Sequence, residues 1–237
     1  MIKIFIGYDQ KESSAYHVLA HSIISRSSLP VSITPVKLSN LSRYYYRASD
    51  PMASTEFSLS RFLVPSLLGF AGWSIFMDCD MLCQGDIADL FALRNPEYAV
   101  QVVKHDYVPK QDIKMLGSKQ TTYAKKNWSS MMMFNNSRCR ALTGDYVNHA
   151  SGLELHQFKW LENDSLIGSL PSNWNYLVGE YPLTPHVDLI HYTNGGPWWK
   201  KYEHCDYSAL WFSELESMLC EKGKDETSQR LLSTSNR

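Results

Sequence analysis

Two aspartates one residue apart, Asp78 and Asp80, close the apolar run Trp73-Ser-Ile-Phe-Met. Side chains two apart on a strand share a face, so both carboxylates point beyond the strand end while Cys79 points away. Two anions held that close repel, and a divalent cation offsets the repulsion. Oxygen-only ligands favour Mg²⁺ or Mn²⁺, ions that keep positions open for a diphosphate. An Asp-x-Asp triplet is a soft signal by itself, and its place at the end of a predicted buried strand is what gives it meaning. A second apolar run ends in Ile190-His191-Tyr-Thr-Asn-Gly195-Gly-Pro-Trp198-Trp199. A histidine there, followed by glycines that let backbone approach a ligand, can give an imidazole nitrogen to a metal or a proton to a phosphate. Alone, His191 reads as a structural residue; beside Asp78 and Asp80 it reads as a third ligand. His105 and Asp106 end a further predicted strand, expected next to the metal-bearing one, and are candidates for contacting donor or acceptor hydroxyls.

These residues need a scaffold that delivers strand ends to one place. Residues 3–7 read as a first strand, followed by Tyr16, Leu19, Ala20, Ile23 and Ile24 at helical spacing, with Ser13 and Ser14 as possible caps. Residues 31–37 alternate as a second strand in which Pro35 suggests an edge or a bulge. Further strands are expected over 74–77, 98–103, 130–134 and 187–192. Helices are expected over 61–68, near Leu90, and over 139–148, 166–170 and 207–220. Residues 39–55 and 107–128 read as long connections, the second a lid or a solvated loop carrying Lys110, Lys114, Lys119, Lys125 and Lys126. The pattern is an open α/β sheet whose polar strand ends face a ligand crevice. Residues 1–220 are expected to form one domain, with 221–237 a polar tail.

The 237 residues, 44% of them hydrophobic, supply ample core for such a domain. A net charge of −1 gives no global positive field, which argues against nucleic acid as a partner and makes any phosphate binding local. No apolar stretch approaches the roughly 20 residues of a membrane-spanning helix, and the apolar start is too short for a signal peptide. A cytoplasmic location is the default expectation. Five scattered cysteines suit reduced thiols, and the Cys79/Cys83 pair lacks the partners of a closed zinc site. Seven tryptophans can serve either sugar rings or core packing.

Taken in order, the motifs resemble the metal-dependent nucleotide-sugar glycosyltransferases of family 8, the group of glycogenin and the bacterial lipopolysaccharide galactosyl- and glucosyltransferases. Five elements carry the resemblance, from the first strand to about Trp199. They are Ile4-Phe-Ile-Gly-Tyr8-Asp9; Ser60-Arg61-Phe-Leu-Val-Pro65; Asp78-Cys-Asp80; Glu162-Asn-Asp164 with Leu170-Pro171, Trp174 and Asn175; and His191 to Trp198. The resemblance implies an α/β fold of GT-A type, a Rossmann-like, mixed but mostly parallel sheet flanked by helices. It implies Mn²⁺ or Mg²⁺ held by Asp78, Asp80 and His191, and a nucleoside diphosphate sugar donor, most often a UDP-sugar. Gly7, Tyr8, Asp9, Arg61, Asp78, Cys79, Gly195 and Lys200 are the implied donor contacts, with Tyr8 packing on the base. Asn163 and Asp164 lie near the transferred ring, and Asp164 with Asp106 can offset positive charge on it. The acceptor is a carbohydrate, glycolipid or other hydroxyl, transfer is of hexosyl type, and the anomeric configuration is retained.

The sequence also departs from that family. Asn127-Trp-Ser129-Ser130 stands where an Asn-Ser-Gly stretch is usual, and Gly196 stands where a lysine precedes Pro-Trp. Two other functions compete. A Mg²⁺-dependent nucleotidyltransferase would want a Gly-rich, basic loop after the first strand, where this chain has only Gly7-Tyr-Asp-Gln-Lys11. A non-catalytic carbohydrate-binding module would use the aromatics but has no need of a converging Asp78, Asp80 and His191. No motif specifies the donor sugar, the acceptor or the oligomeric state.

Overall fold

In the computed structural model the described residues are 1–48, 55–106 and 124–219. The chain opens with β1 (Ile2–Tyr8), α1 (Ser13–Arg26) and β2 (Val31–Lys37). A short α2 (Val64–Leu67) then leads to β3 (Trp73–Met77), β4 (Met81–Cys83), α3 (Ile87–Ala92) and β5 (Val100–Val102). After residue 124 come β6 (Met131–Asn135), α4 (Gly144–His149), α5 (Gly152–His156), β7 (Ile167–Ser169), β8 (Tyr176–Leu177), β9 (Leu189–His191) and α6 (Ser208–Met218).

Six strands form the main sheet in the order β2-β1-β3-β6-β5-β7. β1 pairs in parallel with β2 (Ile4↔Ile33) and with β3 (Ile4↔Ile75), and β7 pairs in parallel with β5. β6 runs against both of its neighbours. Five C-terminal strand ends and the N-terminal end of β6 therefore share one edge, and that edge gathers Tyr8, Asp78, His105 and Ser130. The apolar runs explain the layout: Ile4, Ile6, Ile75, Phe76, Met77 and all of Met131–Phe134 are fully buried, as strands covered on both faces require. β2 is the outer strand, so Pro35 removes no ladder hydrogen bond that a central strand would need.

A second, three-stranded sheet, β4-β9-β8, has its own apolar cluster of Val18, Leu82, Tyr176, Ile190, Tyr192 and Trp211. α6 lies against α1, and the buried Glu214 joins them by accepting from His21 Nδ1 and Arg26 Nη2, each at 2.6 Å. Trp160, Trp174 and Trp211 are buried, which assigns these three indoles to packing.

Several expectations need correction. Residues 166–170 do not form a helix: a 3-10 turn, Asp164–Leu166, feeds β7, which pairs with β5. Gly168 permits this, since a Cβ there would meet the Tyr98 ring at 2.4 Å. The helix expected over 139–148 shrinks to α4, because Thr143 caps its start by accepting the Tyr146 N–H. The caps expected from Ser13 and Ser14 are replaced one turn earlier by Asp9, which accepts from the Lys11 N–H. β5 is not next to β3, since β6 intervenes. Most of the second long connection, including Lys110, Lys114 and Lys119, part of the first, and the 221–237 tail lie outside the described residues.

Candidate active site

Asp78 follows β3 directly, and its N–H donates to the Ser130 carbonyl at 2.8 Å, extending the β3–β6 ladder by one rung. Asp80 directly precedes β4, whose Met81 pairs with His191 at the end of β9. The Tyr192 N–H donates to the Asp80 carbonyl at 2.9 Å, so strand pairing alone puts Asp80 beside His191. One ligand atom from each of Asp78, Asp80 and His191 lies within 4.8 Å of the others, and His191 Nε2 is 3.4 Å from Asp80 Oδ1. Ligands about 2.1 Å from one octahedral ion stand about 3.0 Å apart when cis and about 4.2 Å when trans. The three groups therefore fit a single dication with small side-chain adjustments, two carboxylates and one imidazole supplying its protein ligands.

Carboxyl groups crowd the surroundings. Arg61, on the 3-10 turn Ser60–Leu63, sets Nη1 2.8 Å from Asp78 Oδ1 and donates to the Ser129 carbonyl at 2.9 Å. Its guanidinium carbon lies 5.3 Å from the Phe57 ring centre and 5.1 Å from that of Phe76. Burial pushes the Asp78 carboxyl up to about 6, with Arg61 opposing the rise and Asp80 adding to it. Glu12 was not singled out in the sequence, yet it is only 2% exposed. Burial, followed by the charges of Asp80, Asp9 and Asp78, lifts its carboxyl to about 8. Among the described residues, the carboxyl groups of Asp9, Glu12, Asp78 and Asp80 thus act on one another close to Arg61, a repulsion that a bound dication would relieve.

The other candidates divide into two groups. Asp9 is buried, and both of its oxygens hold backbone: Oδ1 accepts from the Lys11 N–H at 2.9 Å and Oδ2 from the Glu56 N–H at 3.2 Å. Tyr8 is half-buried, its ring edge-on to Tyr16 at 5.3 Å and 5.2 Å from Lys37 Nζ. A Cβ on Gly7 would stand 2.3 Å from the Phe57 ring, and Gly195, at φ 120, would bring one to 2.5 Å from Tyr202. Cys79 is buried, and burial together with Glu12 raises its thiol well above the usual range, so its side chain is neither a thiolate ligand nor open to a donor. The Trp198 ring covers Gly196, where a Cβ would meet it at 2.0 Å; this position therefore cannot hold a lysine without moving the indole.

The second group is described by its own local partners. Lys200 is exposed in the turn Lys200–Tyr202. Asn163 caps the Ser165 N–H at 3.0 Å, and the exposed Asp164 pairs with Lys125 Nζ at 2.6 Å, which lowers its carboxyl. Asp106 is exposed beyond β5. Its neighbour His105 is buried, with Nδ1 2.8 Å from the Tyr181 hydroxyl, and burial lowers that imidazole to about 3. Besides Glu12, the sequence reading named Ser130 only within Asn127-Trp-Ser129-Ser130 and did not assign Asn175 its contact with His191 Nδ1, 2.9 Å from Asn175 Oδ1. Neither has a local signature, because both act across elements far apart in the chain.

Comparison with known proteins gives a consistent result. Residues 8–201 match the family described as glycosyl transferase family 8. Protein CDI of Arabidopsis thaliana is 44% identical over 232 residues, 94% of this chain and 89% of that protein. Among solved structures, the WbbM bifunctional glycosyltransferase aligns with a TM-score of 0.63 at 14% identity, over 90% of this chain and 49% of WbbM. The glycosyltransferase GlyE of Streptococcus pneumoniae TIGR4 aligns at 0.58 and 14% identity, over 93% and 63%. The galactosyltransferase LgtC, solved with donor and acceptor sugar analogs, aligns at 0.56 and 11% identity, over 91% and 96%. The chain thus spans about half of WbbM, less than two thirds of GlyE and nearly all of LgtC.

Proposed function

The chain belongs to glycosyl transferase family 8, has the α/β GT-A fold and is a glycosyltransferase; from that premise we propose that it moves a sugar from a nucleoside diphosphate sugar, a UDP-sugar, to a hydroxyl of a carbohydrate or glycolipid acceptor, using Mn²⁺ or Mg²⁺. The observation that carries the proposal is the mutual approach of Asp78, Asp80 and His191 to within 4.8 Å. Family membership sets aside the nucleotidyltransferase and carbohydrate-binding-module readings.

Asp78, Asp80 and His191 would hold the cation, which when bound supplies Lewis-acid stabilisation of the departing diphosphate. Arg61 keeps Asp78 pointed at the site, its guanidinium held against the rings of Phe57 and Phe76. Tyr8 and Gly7, at the end of β1, are the assigned contacts for the base side of the donor, and Gly195, on the loop after His191, is assigned to the diphosphate side. As the bond from sugar carbon to phosphate oxygen breaks, positive charge grows on the ring. Asp106 and Asp164 are the proposed carboxylates facing that charge, which requires Asp164 to exchange its Lys125 partner for substrate. The acceptor oxygen attacks from the face of the leaving group and gives its proton to the departing phosphate, so configuration is retained and no protein base is needed. A cytoplasmic location belongs to the same proposal and is supported by the free thiols of Cys79, Cys83, Cys139 and Cys205.

The test is a panel of nucleoside diphosphates and their sugars, each with and without Mn²⁺. The expected result is a thermal shift with UDP that needs Mn²⁺, and Mn²⁺-dependent release of UDP from one UDP-sugar, with the product anomer read by NMR. No shift and no release with any member of the panel would overturn the donor and metal assignments.

A further inference from the structure

We propose that Asn175 is a positioning residue that locks His191 in the tautomer carrying its proton on Nδ1, leaving Nε2 as an open ligand atom; this rests on the cation reading above. The argument follows one chain of hydrogen bonds and needs no assumption about which way any amide points. Ser130 Oγ lies 2.6 Å from the Asn127 carbonyl, which can only accept, so the single hydroxyl proton of Ser130 is committed there. Toward Asn175, 2.8 Å away, Ser130 Oγ can then only accept, and the Asn175 atom facing it must be the amide nitrogen. The Asn175 oxygen is thereby turned to His191 Nδ1 at 2.9 Å, and an oxygen acceptor demands an N–H on that ring nitrogen. In a neutral imidazole the lone pair is then on Nε2, the nitrogen 3.4 Å from Asp80 Oδ1.

Burial makes the relay binding on its members. Asn175 is 0%, His191 2% and Ser130 3% exposed, so water does not compete for these bonds and each polar atom depends on its protein partner. Ser130 also fixes the other side of the site, because its carbonyl accepts the Asp78 N–H at 2.8 Å. One residue pair, Ser130 and Asn175, therefore sets both the orientation of the imidazole on β9 and the place of the carboxylate after β3. The partner of the ring nitrogen that does not face a metal commonly decides ligand orientation and basicity, and its loss weakens metal binding by about 10- to 100-fold.

The experiment uses the full chain labelled with ¹⁵N-histidine. A long-range proton–nitrogen spectrum of the metal-free protein reads the His191 tautomer, with the signal assigned by its loss in His191→Gln, and Mn²⁺ affinity is measured separately by calorimetry. The expected wild-type result is Nδ1–H with an unprotonated Nε2. Asn175→Ala should mix the two tautomers and raise the Mn²⁺ Kd by about 10- to 100-fold. Asn175→Asp, which keeps an oxygen facing Nδ1, should restore the single tautomer. Should Asn175→Ala fail to fold, Ser130→Ala frees the amide to rotate and should mix the tautomers in the same way. A wild-type chain that binds Mn²⁺ with its His191 proton on Nε2 overturns this inference and leaves the cation reading standing. Failure of the wild-type chain to bind Mn²⁺ overturns the cation reading, and with it the purpose assigned to Asn175, whatever the tautomer.

Discussion

The Cys79 thiol points at Glu12, with Sγ 3.8 Å from Oε2, and both residues are buried. The Glu12 carboxyl, lifted from 4.5 to about 8 by burial and by Asp80, Asp9 and Asp78, binds its proton more tightly in the folded chain than in the unfolded one. Stability carried by that neutral carboxyl is fully present below the unfolded value and is lost as pH rises through about 8. Asp78, lifted to about 6, loses stability in the same direction. In metal-free protein the denaturation midpoint should therefore fall between about pH 5 and about pH 9. Glu12→Gln, a neutral isostere, should flatten much of that fall; a slope equal to the parent's would show that Glu12 is ionised throughout.

Asp80→Asn removes a charge from the proposed cation site with little change in volume. Asp80 is half-buried and lies outside the main core, so the fold should persist. Turnover should drop by about 10²-fold or more, matching the several kcal/mol of charge stabilisation a metal supplies, and Mn²⁺ affinity should fall with it. Full metal-dependent turnover in the variant would remove Asp80 from the ligand set.

Arg61→Ala leaves the Asp78 carboxylate without its cation and uncovers the Phe57 and Phe76 rings against which the guanidinium lies. Breaking a buried pair from one side costs about 3–5 kcal/mol. Arg61→Lys should recover only part of this, since an ammonium does not reproduce the planar guanidinium that reaches both Asp78 and the Ser129 carbonyl. Equilibrium unfolding of both variants checks the order, and a lysine variant as stable as the parent would refute it.

Gly7→Ala forces a methyl group to 2.3 Å from the Phe57 ring. Overpacking of this kind costs about 1–3 kcal/mol. Adding Phe57→Leu should relieve the clash, so the two substitutions together should cost less than their sum. Additive effects would mean that the ring moves aside freely.

Much of this arrangement could be read from local pattern. The alternation over 31–37 gave β2 its full extent, and the apolar run ending in Asp78-Cys-Asp80 located the strand end that carries the carboxylates. Short apolar runs misled where period cannot separate helix from strand, as at β7, where the deciding fact is that Gly168 fits beneath Tyr98. The insertion of β6 between β3 and β5 is a pairing choice made across tens of residues, so the sequence could place His105 and Asp106 at a strand end but not say which strand lies beside it. Glu12 was overlooked for a related reason. Nothing in Gln10-Lys-Glu-Ser distinguishes a solvated turn from a sealed one until Cys79 is brought against it.

The ligand set straddles two sheets, since Asp78 extends a strand of the larger one while Asp80 and His191 flank paired strands of the smaller. A dication gripped by all three would be a rivet between the two sheets, beside the contact that Met81, Cys83 and Leu189 of the smaller one make with the main core. Prying the sheets apart and expelling such an ion would then be one and the same event.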